Sequence, residues 1–409
     1  MESVSLAYGN SAFPFTFDPT RFRLVVPHEG PPSGTEEHLI ESPPLADLAR
    51  GRRVLLIVSD LTRPTGTREF LPLLLGQLGG AAAVRFLFAT GLHRPLDDGD
   101  KIAIVGEDVF RAYPMLDHEP EENNTKVGTT SLGNDVEIDE QVLRHDLIVL
   151  TGSIGFHYFA GYSGGRKSLL PGVASKESIQ FNHLLVLNRE VPGRNPDVGV
   201  ARLAGNPIHE DMVEAARLVD RRLFVHNTIL DSAKRVRKTF SGHWLEAHQR
   251  GARDYFDHHS VRLEGKRRLA IVSCGGFPRD INMIQAHKAL EFTQYVVEPG
   301  GTIILLADCL EGTGHPSFFP WFRYSDLDEF ERGLRADYQV YGQTAYSLLS
   351  KARRFRIICV SSLPDKQVRA MGMEPAATLD AAMSLIDSDL AETGYILPFG
   401  AEVLPSVET

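Results

Sequence analysis

Residues 53 to 64 read RVLLIVSDLTRP. The first seven form a short apolar, β-branched run of the kind that buried parallel strands use, and the chain then turns polar through Asp60, Thr62 and Arg63. The same grammar recurs downstream. Val84 to Ala89 (VRFLFA) runs into Thr90-Gly91-Leu92-His93-Arg94-Pro95, and Leu147 to Leu150 (LIVL) into Thr151-Gly152-Ser153-Ile154-Gly155-Phe156-His157. Helical periodicity is expected at about 67–77, 97–112, 176–187 and 208–219. Ahead of this series, Ser3 to Tyr8 and Phe22 to Pro27 are β-like, with the Pro/Gly loop HEGPPSGTEEH at 28–38. A second series follows the polar stretch 245–267: strands at Leu269 to Cys274, Thr302 to Ala307 and Arg356 to Ser361, and helices at about 281–297 and 377–386. Alternating strands and helices predict two α/β domains with largely parallel sheets. The expected boundaries are 1–262, a cofactor-binding and catalytic domain, and 263–409, a domain contributing substrate-binding residues. The active-site cleft is expected between them, with the last residues able to pack back on the first domain.

A length of 409 residues suits two or three domains, each able to bury a core. The formal charge of −10 argues against a broad nucleic-acid or anionic-membrane surface. No apolar run approaches the roughly 20 residues of a membrane span. The start, MESVSLAYGNSAF, lacks the basic and apolar regions of a signal peptide. A cytoplasmic protein with neither nucleic acid nor membrane as partner is expected, its oligomeric state unknown. Cys274, Cys309 and Cys359 are scattered beside strand-like runs without a CxxC pair, so they are expected to be small buried residues.

Open parallel sheets bind ligands outside the carboxyl ends of their strands. Three successive strand ends would therefore bring Asp60, Arg63, His93 and His157 to one crevice. The segment from His157 to His183, HYFAGYSGGRKSLLPGVASKESIQFNH, is the richest in the chain. Gly161, Gly164 and Gly165 allow close backbone approach, and their amides suit a phosphate. Lys167 follows them, and Glu177 is the segment's one acid, so it forms a positive wall on an acidic protein. A P-loop needs Gly directly before Lys, and Arg166 intervenes. A phosphate- or nucleotide-binding transferase using loop 161–168 stays open as an alternative, as does a non-catalytic carrier; the plainest reading is a crossover loop with solvated Arg166 and Lys167. HExxH is absent, His258-His259 reads as a solvated pair, and no cysteine lies near the histidines to build a His/Cys zinc site. His183 is either an isolated ligand or a structural histidine. In the second series, GGFPRDINMIQAHK (275–288) places Gln285 and Lys288 on one helix face, with Lys288 suited to a carboxylate. GTGHPSF (312–318) is a candidate rim of the same cleft.

Together these pieces resemble the nickel-pincer-dependent lactate racemase family. The matching segments are SDLTRPT (59–65), ATGLHRP (89–95), HYFAGYSGGRKSLLPGVAS (157–175) with His183 beyond it, and PRDINMIQAHKALE (278–291). The resemblance implies a racemase or epimerase of 2-hydroxyacids, lactate-like, malate-like or sugar acids. Its cofactor would be a nickel-pincer nucleotide, a pyridinium-3-thioamide-5-thiocarboxylic acid mononucleotide carrying nickel, attached covalently to Lys167 and supplied by cofactor-biosynthesis enzymes. By motif match His183 is the protein ligand to nickel, and His93 and His157 are the acid/base pair. Arg63, Gln285 and Lys288 hold the substrate, while Asp60, Gly164 and Gly165 lie at the cofactor. The chemistry agrees: an α-proton beside a carboxylate is poorly acidic, whereas hydride transfer needs only a base for the hydroxyl and an electron-poor acceptor. Imidazole serves as acid or base near neutrality. Ile284 stands where the lactate-specific pattern has an aromatic residue, and Tyr338, Tyr341 and Tyr346 all compete for a later aromatic position. Arg94, Arg166 or Arg279 could take a second carboxylate, so the substrate stays open within the 2-hydroxyacids.

Overall fold

A computed structural model describes residues 1–27, 36–231, 234–387 and 393–407. The chain forms two compact units, a larger one of Pro31–Val186 and Asn195–Phe256 and a smaller one of Met1–Gly30, Leu187–Arg194 and Asp257–Thr409.

In the larger unit, the described strands form a seven-stranded sheet in the order Glu36–Ile40, Val236–His243, Arg222–Leu230, Leu147–Ser153, Arg53–Ser59, Ala83–Ala89, Met115–Asp117. All neighbours are parallel except Arg222–Leu230 with Val236–His243. The interior strand Arg53–Ser59 is buried from Val54 to Val58 because side chains on both of its faces are covered. On one face Val54, Leu56 and Val58 pack with Phe86, Phe88 and Val149 and with Phe70, Leu71 and Leu74 of the helix Thr67–Gln77.

In the smaller unit, six described strands run parallel in the order Glu374–Ala376, Arg356–Val360, Val297–Leu306, Arg267–Ser273, Gly394–Leu397, Phe22–Leu24. The N-terminal hairpin Glu2–Tyr8/Ser11–Phe17 packs at the carboxyl end of this sheet. Its Gly9 amide donates to Asp280 Oδ2 at 2.7 Å, and the Phe277 amide donates to the Gly9 carbonyl at 2.9 Å. All three cysteines are buried and free.

Several expectations are redrawn. The first 30 residues count with the smaller unit, because Phe22–Leu24 pairs with Gly394–Leu397. The last strand, Leu404–Val407, pairs with Ser260–Leu263 in that same unit. The polar stretch 245–267, expected to hold the boundary, does contain the change of unit after Phe256, but it is structured, as the helix Glu246–His259 followed by strands. That helix buries Ala247, His248, Gly251, Ala252 and Tyr255 along one face, a stripe of small and polar residues that composition conceals. The helix expected at 97–112 breaks at Gly106 (φ 90°) into Asp98–Val105 and Glu107–Ala112. The first eight residues of the Pro/Gly loop lie outside the described residues; its last three begin the strand Glu36–Ile40. No described helix is long and apolar enough to cross a membrane.

Candidate active site

The strands Leu147–Ser153, Arg53–Ser59 and Ala83–Ala89 are sheet neighbours, so the loops that follow them start side by side. Asp60, directly after its strand, is 4% exposed. Its Oδ1 accepts from the Thr62 amide (3.0 Å) and hydroxyl (2.7 Å), and its Oδ2 accepts from His93 Nδ1 at 2.5 Å. Burial alone would raise the Asp60 carboxyl; the His93 hydrogen bond and charge, with Arg63 and Thr62, outweigh it and hold the group below its ordinary value. With its proton on Nδ1, His93 keeps the Nε2 lone pair for a substrate. Arg63 is exposed and reaches the Thr62 hydroxyl at 3.5 Å.

His157 lies on a two-residue strand, Phe156–His157, paired with Gly161–Tyr162. Its Nδ1 accepts from the amides of Phe159 (3.5 Å) and Ala160 (3.3 Å). In the neutral ring the proton is then on Nε2, the opposite tautomer from His93.

Phe159, given no role by sequence reasoning, ties the remaining groups together. Its ring meets His157 edge-on at 4.4 Å and His183 at 5.0 Å, and the Lys167 ammonium nitrogen is 5.5 Å from its centroid. Lys167 is half-buried, and its amine is pushed well below its ordinary value by burial first, then by the Arg166 and Arg63 charges. His183, in the last turn of the helix Lys176–Leu184, donates from Nδ1 to the Ile179 carbonyl at 2.9 Å. That bond leaves the Nε2 lone pair available. Burial, then Lys167 and Arg63, push the ring down to about 3, so it is neutral at physiological pH. The neighbouring Asn182 pins the helix: its amide donates to Asp211 Oδ2 (2.9 Å) and the Ile208 carbonyl (3.1 Å).

The Gly-rich loop owes its glycines to close packing. Gly164 and Gly165 have φ of 79° and 58°, where a side chain strains the backbone. A Cβ on Gly164 would meet Asn227 Oδ1 at 2.8 Å, and one on Gly165 would meet the His248 ring at 2.8 Å. The Gly165 amide donates to Asn227 Oδ1 at 2.9 Å, so it is not offered to a phosphate. Arg166, expected in solvent or on a substrate carboxylate, is fully buried. Arg94 and Arg279 are also committed, to Asp100 and Glu402. Sequence reasoning missed Asn227 and His248 because it missed the strand Arg222–Leu230 and the helix Glu246–His259; in register, Asn227 lies opposite Gly152.

In the smaller unit, Gln285 and Lys288 stand on the helix Met283–Thr293, whose first turn is capped by Asn282 Oδ1 accepting from the Gln285 amide at 3.1 Å. Lys288 Nζ donates to Gln285 Oε1 at 2.7 Å, as the shared face required. Ile284 beside them is 6% exposed. No group of three or more His, Cys, Asp or Glu suited to a metal ion occurs among the described residues. A hollow of about 230 Å³ opens beside the Asp60–His93 pair, lined by Asp60, Arg63, Thr65 and Arg68 among others.

Family models for the lactate racemase N-terminal and C-terminal domains match residues 8–193 and 264–397. A lactate racemase from Thermoanaerobacterium thermosaccharolyticum is 30% identical over 99% of both chains. Another, from Lactiplantibacillus plantarum, is 34% identical over 84% of this chain and 82% of its own. The solved apoprotein of the Thermoanaerobacterium enzyme superposes with a TM-score of 0.89, covering 99% of this chain and 100% of that one. A Thermotoga maritima protein, 18% identical with a TM-score of 0.66 over 89% of this chain and 96% of its own, shares the fold.

Proposed function

The chain belongs to the lactate racemase family, and from that premise we propose that it interconverts the two configurations at C2 of a small 2-hydroxyacid. The observation that carries this reading is the set of groups in the larger unit. A carboxylate-backed His93 and an amide-backed His157 accompany Lys167, whose amine burial and neighbouring cations push well below its ordinary value, and His183, held neutral by burial.

The family's nickel-pincer nucleotide fits these residues. The described chain offers no three-ligand metal cluster, so a metal here must bring most of its own ligands. His183 presents one lone pair through Nε2, and Lys167 presents an amine for covalent attachment. When bound, the group supplies an electron-poor acceptor and donor of hydride, chemistry that no side chain can provide. The chain's own residues do the rest. Arg63 offers a fork for the substrate carboxylate, Lys288 a point charge, and Gln285 a hydrogen bond. His93 takes the hydroxyl proton through Nε2 in one configuration, and His157 handles the other. The cations Arg63 and Arg166 make the surroundings of the site positive, as an anionic substrate and a nucleotide phosphate require. Cofactor-synthesis enzymes are the implied partners.

The test is to incubate protein matured with those enzymes with single enantiomers of lactate, malate, longer 2-hydroxyacids and sugar acids in D₂O, followed by chiral chromatography and mass spectrometry. The expected result is interconversion of at least one acid with its C2 hydrogen retained. Deuterium at C2 would replace hydride transfer with proton abstraction. No turnover of any 2-hydroxyacid by nickel-loaded protein would contradict the racemase reading.

A further inference from the structure

A second hollow in the larger unit, of about 520 Å³, shares no lining residue with the one beside Asp60 and His93. The helices Pro207–Leu218 and Glu246–His259 supply most of its lining. His209, Val213 and Arg217 follow at four-residue spacing, which puts them on one helix face. Val213, Tyr162 and Ala252 form a buried apolar wall. His209 beside them is 5% exposed, yet its ring makes no hydrogen bond among the described residues, and Nδ1 is orphaned in the interior. Burial, then the Arg166 charge, hold the ring down to about 3, so it is a neutral group with one N–H and one lone pair to offer. Burying an imidazole without a partner is costly, and a position that only packs is better filled by an apolar side chain. Two arginines stand at the exposed edge. The guanidinium groups of Arg217 and Arg253 make no ion pair or hydrogen bond among the described residues. The carboxylates near them are engaged: Glu214 accepts from the Ser131 amide and hydroxyl, both at 2.6 Å, and Glu210 from the Gly205 amide at 2.8 Å.

We propose that this hollow is a second ligand site, which takes a small organic acid: its apolar body lies on Tyr162, Val213 and Ala252, its carboxylate is held at the rim by Arg217 and Arg253, and a polar atom of it gives the His209 ring the hydrogen-bond partner it lacks. The volume suits a ligand of one or two rings. Free guanidinium groups at one end and an apolar wall with a single unpaired polar group at the other select an amphipathic anion over a sugar or a cation. The site backs onto the Gly-rich loop. The His209 ring stacks on that of His248 at 6.4 Å, and Arg166 of the loop donates to His248 Nε2 at 2.8 Å. The proposal is independent of the racemase reading, because it uses none of the residues assigned to that reaction.

The test is binding of a probe, indole-3-propionate, to the full chain made without cofactor-synthesis enzymes, followed by calorimetry. Its indole fits the apolar wall, its ring N–H can meet His209, and its carboxylate reaches the rim. Wild type should bind one equivalent with a Kd of about 1 mM or tighter. Indole-3-propionamide, which lacks the charge, should bind about tenfold more weakly, as should the probe to the double variant Arg217→Gln/Arg253→Gln. His209→Phe, which keeps the ring and removes both nitrogens, should weaken binding about threefold or more. Ala204→Trp, at an exposed position of the lining, puts an indole at the hollow and should abolish binding; it carries the reading if the other variants do not fold. Arg63→Gln should bind as wild type does. No binding by wild type overturns the proposal, and so does unchanged affinity in the arginine double variant, in His209→Phe or in Ala204→Trp. Affinity lost in Arg63→Gln and kept in the arginine double variant also overturns it, because the acid would then sit at the substrate site. A chain that binds the probe as expected but racemises no 2-hydroxyacid would overturn the racemase reading alone.

Discussion

Asp60 and His93 are 33 residues apart in the chain and 2.5 Å apart in the fold. The carboxylate fixes the proton on His93 Nδ1 and so gives Nε2 the lone pair of a base. Asp60→Asn removes that control, because an amide can donate to the ring as readily as it accepts. Turnover should fall by about a hundredfold or more with KM little changed, since Asp60 is bonded to His93 and Thr62. A large rise in KM at constant kcat would instead make Asp60 a substrate contact. His226 tests a different residue property. Its Nδ1 bonds the Ser241 hydroxyl (2.8 Å), its ring packs on Phe70 (4.6 Å), and burial holds it down to about 4. Unfolded histidine titrates near 6.5, so between about 6.5 and 4 the unfolded chain binds a proton that the folded chain refuses. Stability is therefore full above 6.5 and is lost as pH falls through that window, by about 2 kcal/mol at pH 5 from this group. His226→Leu should show a shallower decline of the melting midpoint between pH 7 and pH 5 than wild type; an equal decline would contradict the assignment. At this scale the meeting of Asp60 and His93 is legible in the sequence, because Asp60 directly follows one apolar strand and His93 lies in the loop after the adjacent one. Arg166 is not, because nothing in a local window shows that a charge is buried, and its ring partner His248 is 82 residues away.

At the scale of elements, the strand–loop junctions decide the site. The Gly-rich loop is held between the sheet and the helix Glu246–His259, so its glycines are steric. Gly165→Ala puts a Cβ 2.8 Å from the His248 ring at φ 58°. The expected cost is about 1–3 kcal/mol, read as a lowered melting midpoint, together with loss of the His248–Arg166 bond. A variant as stable as wild type would mean that the loop tolerates a side chain there and that the packing argument fails. The central strands were readable because they are continuous apolar runs buried on both faces. RLFVHNTIL and VRKTFSGH, the strands Arg222–Leu230 and Val236–His243, were not, because His, Asn, Arg and Lys interrupt their pattern. Missing them hid Asn227, the acceptor that holds Gly165. The helix Met283–Thr293 was readable, and the Lys288–Gln285 hydrogen bond at 2.7 Å follows from its three-residue spacing.

At the scale of the whole molecule, the chain crosses between its two units more often than a cut near residue 260 suggests. Phe22–Leu24 completes the smaller sheet, and Arg194 pairs with buried Glu291 (3.1 Å), which also pairs with Lys351 (2.5 Å). Residues 263–409 made alone lack both contributions and should give no cooperative melt, whereas the full chain should melt cooperatively; a cooperative melt of the fragment would contradict the shared architecture. These long-range pairings lay beyond the sequence reading because an edge strand of three residues and a single arginine carry no periodic signal. The proposed role of Lys167, anchor of a nickel-bearing nucleotide that serves 2-hydroxyacid racemisation, is tested most directly by mass. Intact-protein mass spectrometry with peptide mapping, on protein co-expressed with the cofactor-synthesis enzymes, should find a nickel-containing adduct of mononucleotide size on Lys167. An unmodified Lys167 in protein that still racemises a 2-hydroxyacid would contradict it.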